Sequence, residues 1–171
     1  MRASNALEET CIKRNSNGDT RTADHIPTIN EFDTANSMHI VDVALMMEAV
    51  SHLIADRGKG HDWTKNTEPF RSMFYEDLTA TLEGKMKFED GEWYQMHCKE
   101  ERHHLDVCWP EDANLIDVIE MLCDRICASK ARTGSYVPFP LDKFTLSMFA
   151  AAFRNTEQLL LDSVVLVKEE D

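Results

Sequence analysis

An all-α fold of about five main helices is what this sequence predicts. Three observations carry the prediction. Apolar residues recur at helical spacing, glycines and prolines fall where helices start and stop, and strand-like alternation is scarce.

The first helix is "NSMHIVDVALMMEAVSHLIADRG", opened by an Asn/Ser pair and closed by Gly58 as a C-cap. The second, "TEPFRSMFYEDLTATLEG", opens at Thr67, carries a proline in its first turn and stops at Gly84. "KMKFEDGEWYQMHCKEERHHL" begins as a loop, turns at Asp90-Gly91 and becomes helical around Trp93. The fourth, "EDANLIDVIEMLCDRICASKARTG", places Leu115, Ile116, Ile119, Leu122 and Ile126 on an apolar stripe and ends at Gly134. A last long helical stretch, "LDKFTLSMFAAAFRNTEQLLLDSVVLVKEE", follows the break between Pro138 and Pro140. Residues 1–25 are polar and aperiodic, with "RNSNGDTRT" as loop. The chain thus divides into an N-terminal tail or arm, 1–25, and a helical domain, 26–171. An arm of this kind docks on the body or on another subunit, which leaves a homo-oligomer open.

The 171 residues are enough for one domain with a sizeable core, and 43% hydrophobic with 29% charged residues is an ordinary globular balance. No uncharged apolar run approaches the ~18 residues needed to cross a bilayer, so a membrane partner is not expected. The first twenty residues lack an apolar leader, and the five cysteines form no CxxC pair, which together read as a cytoplasmic protein with free thiols. A net charge of −13 repels a long phosphate backbone, so nucleic-acid polymers are excluded as partners. Small phosphorylated ligands are not excluded, because a bound cation or a few local Lys and Arg reverse the field inside a cleft.

The chemistry-bearing residues begin with "RGKGHDWTKNTEPF", where His61 and Asp62 adjoin. His39 lies twenty-two positions earlier, and a fold-back after its helix would bring it to His61; His52 is the rival, nearer its helix's end. His97 and His104, seven apart, share a face if one helix carries both, while His103 points away. Asp117, Glu120 and Asp124 share a face of the next helix. Asp124 sits in "MLCDRICA", among apolar neighbours that make a carboxylate costly unless a cation pairs with it.

Imidazole nitrogen combined with carboxylate oxygen suits Mn²⁺, Fe²⁺, Co²⁺, Ni²⁺ or Zn²⁺, with Mg²⁺ a further candidate. His39, His61, Asp62 and Asp124 form the expected ligand set. His97 with His103 or His104 either holds a second ion bridged through Asp62, or donates protons to phosphate oxygens or a leaving group. Lys65 and Arg57 are candidates for phosphate contact. Glu68 is a candidate for orienting or deprotonating the attacking water. Glu120, one turn from Asp124, is placed to support it by a hydrogen bond. Trp63, Phe70 and Phe74 either wall the pocket or stack in the core.

The order His39 … His61-Asp62 … Asp124 resembles the metal set of the HD-domain superfamily of metal-dependent phosphohydrolases. "HIVDVA" is similar to its first histidine motif, "HDWTK" to its His-Asp motif and "MLCDRICA" to its closing aspartate. His97, His103 and His104 resemble the histidines that binuclear members add. More narrowly, "RGKGHDWTK", "WYQMHCKEERHH" and "IEMLCDRICAS" resemble a small uncharacterised HD-like family of phages and Firmicutes, over residues ~37–131. Trp63 departs from the small aliphatic residue usual at its position.

The resemblance implies a compact HD-like helical bundle holding one or two divalent ions. It implies hydrolysis of a phosphoester or phosphoanhydride in a small nucleotide by a metal-activated water. The alternatives are a non-catalytic nucleotide-binding module and a di-iron oxygenase of the same fold.

Overall fold

The computed structural model describes residues 6–13, 25–136, 138 and 140–167. The fold is all-α. Its described residues form α1 (Ile29–Gly60), α2 (Phe70–Leu82), α3 (Glu92–Glu100), α4 (Leu115–Thr133) and α5 (Leu146–Ser163), with single 3₁₀ turns at Trp63–Asn66, Phe88–Asp90 and Leu141–Lys143. Two short strands, β1 (Thr10–Lys13) and β2 (Val164–Val167), pair in parallel with Thr10 opposite Val164 and Lys13 opposite Val167. The chain groups into two units, one of Asp56–Glu157, the other drawn from Ser4–Ala55 and Gln158–Asp171.

In the second unit, α1 starts seven residues before the expected Asn36. Thr28 and Glu31 form a capping box, the Thr28 N–H donating to Glu31 Oε2 at 2.7 Å and the Glu31 N–H to Thr28 Oγ1 at 3.4 Å. Gly58 does not cap the helix, which runs on through it to Gly60. The turn expected between His39 and His61 is therefore absent. By length and composition α1 is long and apolar enough to cross a membrane, with a window of mean hydropathy 1.5. Counting uncharged runs misses it because Asp42 and Glu48 interrupt the sequence.

The last stretch is helical to Ser163 and then becomes strand, since "VVLV" is rich in the β-branched residues that favour a pleat. Its partner β1 lies within the expected tail. The loop reading of "RNSNGDTRT", 14–22, falls outside the described residues.

In the unit Asp56–Glu157, the core gathers Leu105, Ala113, Met121 and Phe144, with Trp109 and Phe149 packed against it. Asn114 caps α4, accepting from the N–H groups of Ile116 and Asp117, while Asp117 reaches back to the Asn114 N–H at 3.0 Å. Gly134, at φ 71°, ends the helix. The apolar stripe expected on α4 is largely exposed at Ile119, Leu122 and Ile126, and the buried face is Ile116, Asp117 and Met121. Polar partners explain the difference. Asp117 is fully buried because Arg102 meets it with two hydrogen bonds, at 2.9 and 2.8 Å, and Arg57 binds the same carboxylate.

α2 and α3 are joined by the Asp77 side chain, which accepts the Trp93 N–H at 2.8 Å. A Cβ at Gly91 would sit 2.3 Å from that carboxylate, so any side chain there would push Asp77 off the Trp93 N–H. α3 stops at Glu100, where the Glu101 N–H bonds to the His97 carbonyl at 2.8 Å.

Candidate metal centre

The cluster is assembled from the end of α1, the turn after it, the end of α3 and one face of α4. Immediately after α1, Asp62 adopts a left-handed conformation at φ 56°, one that aspartate tolerates better than most residues. The 3₁₀ turn that follows is closed by the Lys65 N–H on the Asp62 carbonyl at 2.9 Å. This reversal turns the Asp62 side chain toward the histidines and brings Lys65 Nζ onto Asp62 Oδ2.

Two groups of ligand atoms result. The first is Asp62, His97, His103 and His104, and the second is His61, His103 and Asp124. Asp62 faces both. Its Oδ1 lies 3.4 Å from His97 Nε2 and 3.7 Å from His103 Nε2, and its Oδ2 lies 3.4 Å from His61 Nε2. His61 Nε2 is also 3.3 Å from Asp124 Oδ1. His97 and His104 oppose each other Nε2 to Nε2 at 2.8 Å. Ligands at right angles around an ion with bonds of ~2.1 Å stand about 3 Å apart, so these are ligand-like separations.

Behind the rings stand carboxylates. Glu120 Oε1 is 3.2 Å from His61 Nδ1 and 3.4 Å from His103 Nδ1, while its Oε2 meets Arg57 at 3.4 Å. Hydrogen bonds to Asp124 and Glu120 raise the His61 pKa to about 10. The same contact with His61 lowers Asp124 to about 2, and Glu120 is held at about 2 by His103 and His61 against its burial. His97 and His104 go the other way. Burial and neighbouring imidazoles lower them to about 3 and about 4, so both are neutral near pH 7.

The cluster forms the floor of a cleft of about 690 Å³. Phe74, Phe88, Trp93 and Tyr94 line one part of it, and Lys65, Arg125 and Arg132 supply positive charge. α4 contributes a continuous strip from Asp124 through Ala128 and Ser129 to Arg132, residues that share a face at helical spacing.

Among the expected site residues, His61, Asp62, Lys65, His97, His103, His104 and Asp124 come together. His103 joins the cluster rather than pointing away, because α3 ends at Glu100 and the following turn directs both histidines inward. Four others do not join it. His39 is exposed on α1 in the other unit and belongs to neither ligand group. Glu68 is exposed and caps α2, accepting from Ser72 Oγ at 2.6 Å. Arg57 is buried behind the ligands on Asp117 and Glu120, which removes it from phosphate contact. His52 is exposed beside Glu8, at 3.2 Å. Of the candidate wall aromatics Phe74 lines the cleft, whereas Trp63 packs edge-on against Phe70.

Residues 28–159 match the model of DUF5662, a family of unknown function. The chain belongs to this family. No curated protein and no solved structure matches it. The DUF5662 match takes in every residue of the cluster and leaves β1 and β2 outside.

Sequence reading missed Thr64, Glu101 and Trp93. Thr64 and Glu101 carry no metal-ligand signature, and Trp93 reads as core. Their proximity to "HD" and to His97 was the available signal.

Proposed function

We propose that this DUF5662 protein is a cytoplasmic metal-dependent phosphohydrolase acting on a small nucleotide. One observation carries the reading. Asp62 offers one oxygen to each of two imidazole groups, and its buried Oδ1 has no hydrogen-bond partner. A carboxylate oxygen left in that state is costly unless a cation completes it. The donor set of four imidazoles and two carboxylates suits divalent transition metals.

Asp62 with His97, His103 and His104 would hold one ion, and His61 with Asp124 and the other oxygen of Asp62 a second. A bound ion of this kind supplies Lewis acidity and lowers the pKa of water. His97 and His104, neutral near pH 7, serve as ligands in preference to donating protons. Lys65, Arg125 and Arg132 offset the carboxylates of Asp62, Asp106 and Asp124 that also line the cleft, so it is far less acidic than a chain of net charge −13 would suggest. Half-buried Phe74, Phe88 and Tyr94 offer aromatic surface to a base, with buried Trp93 packed behind them. The cleft volume lies in the range of small-ligand sites, ~300–1,000 Å³. The HD-like resemblance keeps His61, Asp62 and Asp124 but loses its first histidine, since His39 lies outside both ligand groups and His103 follows the His-Asp pair.

The test is a chromatographic hydrolysis screen of nucleoside mono-, di- and triphosphates and cyclic dinucleotides. It runs with Mg²⁺, Mn²⁺, Co²⁺ or Fe²⁺, beside an Asp62→Ala control. Turnover by the native chain that chelation abolishes is the expected result. Bound iron with oxygen consumption and no phosphate release would replace this reading with the oxygenase, and nucleotide binding without turnover would replace it with the binding module.

A further inference from the structure

His97 is held on every side. It is 2% exposed, and Trp93 stacks on it with ring centroids 4.3 Å apart and planes at 17°. Its Nδ1 lies 2.6 Å from Thr64 Oγ1. Thr64, fully buried, donates its hydroxyl to Glu101 Oε1 at 2.8 Å and its backbone N–H to the same oxygen at 2.9 Å. Glu101 is itself buried, directly after the end of α3.

The direction of this chain of hydrogen bonds can be assigned. The Thr64 N–H has no choice but to donate, so Glu101 Oε1 is an acceptor. A Thr hydroxyl carries one proton. Once that proton is given to Glu101, Thr64 Oγ1 can only accept from His97 Nδ1. The proton of a neutral His97 therefore sits on Nδ1, and Nε2 is a bare lone pair. That lone pair faces His104 Nε2 at 2.8 Å and Asp62 Oδ1 at 3.4 Å.

We propose that Thr64 and Glu101 are positioning residues that lock His97 in its Nδ1–H tautomer and thereby present Nε2 to the cleft as a ligand. The use of Nε2 by a divalent cation rests on the function proposed above; the tautomer does not. Two imidazole nitrogens 2.8 Å apart face each other across either a proton or a cation. With His97 Nε2 bare, the proton in question belongs to His104 Nε2. To hold a cation, the two rings would give up only that single proton, and the buried Thr64–Glu101 end would keep its hydrogen bonds. The uncharged hydroxyl between carboxylate and ring also matters. It fixes the tautomer while keeping a full negative charge off the imidazole, unlike the direct contact of Glu120 with His61.

The experiment is ¹⁵N NMR of the histidine rings in the full-length chain under chelation, followed by calorimetric titration with Mn²⁺ or Co²⁺. The native chain is expected to show His97 as the Nδ1–H tautomer. Thr64→Val, equal in size but without the hydroxyl, is expected to lose that tautomer and to bind the metal roughly 10–100-fold more weakly. Thr64→Ser keeps the hydroxyl and Glu101→Gln keeps an acceptor oxygen, so both are expected to retain the tautomer. A native His97 found as Nε2–H overturns the proposal whether or not Thr64→Val folds. So does a folded Thr64→Val that keeps both tautomer and affinity. If the native chain shows the tautomer but binds no metal, the proposed function falls and the positioning role stands.

Discussion

The two sides of the cluster hold their histidines by different means. On the α4 side, Asp124 and Glu120 both touch His61 directly, and His61 retains a proton up to about 10. On the α3 side, a carboxylate of the same charge, Glu101, is set one hydroxyl away from His97, and His97 stays neutral down to about 3. Direct contact stabilises the imidazolium by Coulombic attraction in a partly buried site. An intervening hydroxyl orients the ring but leaves burial to dominate. One fold thus presents a proton-holding imidazole and a proton-refusing one to the two oxygens of a single aspartate.

Asp62→Ala is expected to have the largest effect, because Asp62 is the group common to both sides. Both metal equivalents should disappear in titration calorimetry, and with them turnover on any substrate found in the screen. Retention of a full equivalent at either side would show that the two groups are independent.

Glu120→Gln breaks the α4 side selectively. The amide oxygen still accepts from an Nδ1–H, but one of the two carboxylates that hold the His61 proton is gone, leaving Asp124. Metal affinity should fall by about 10–100-fold, and the histidine tautomer at His97 should be unchanged. Loss of the His97 tautomer in this variant would mean that the two sides are not separable.

Much of this arrangement was legible in the sequence. Gly84 and Gly134 mark helix ends that a reading of caps finds, whereas the Asn114–Asp117 box that starts α4 emerged only from the structure. His61-Asp62 and Asp124 come together as expected, because an adjacent imidazole and carboxylate and a carboxylate among apolar neighbours each call for a polar partner. What sequence could not show was the continuity of α1. Gly58 looks like a stop, yet glycine interrupts a helix only where the chain needs a positive φ, and here the reversal falls instead on Asp62. With the helix unbroken, the fold-back that would have recruited His39 is lost. The role of Thr64 was equally hidden, since a hydroxyl acquires its meaning from Glu101, thirty-seven residues away.

The pH profile of stability sharpens the comparison without mutating a ligand. With metal removed by chelation, His61 contributes stability that is full below its unfolded value of ~6.5 and declines as pH rises toward about 10. His97 and His104 act in the opposite sense. Their folded values of about 3 and about 4 mean that the unfolded chain takes up protons first, so stability falls as pH drops below ~6.5. The thermal midpoint should therefore peak near pH 6.5. It should fall by several degrees per pH unit on the acid side, at about 1.4 kcal/mol per proton. Glu120→Gln should shorten the alkaline limb without removing it, because Asp124 still holds the His61 proton. An alkaline limb unchanged in that variant would show that Glu120 does not contribute to it.

Glu68→Ala is expected to have the smallest effect, and it separates two roles cleanly. Glu68 lies six residues after Asp62, within reach of a catalytic role by sequence, but its carboxylate accepts from the Ser72 hydroxyl at 2.6 Å and the Ser72 N–H at 3.3 Å at the start of α2. It also borders the neighbouring groove with Lys65 and Arg71 rather than the cleft. Losing a helix-capping carboxylate costs about 1 kcal/mol, or roughly 2–4 °C in the melting midpoint of a chain this size. Losing a general base lowers kcat by about 10²–10⁴. A variant that melts slightly early while turning over at the native rate places proton handling within the cluster around Asp62. A hundredfold loss of kcat with an unchanged melt would move the base to Glu68 and require α2 to approach the cleft during turnover.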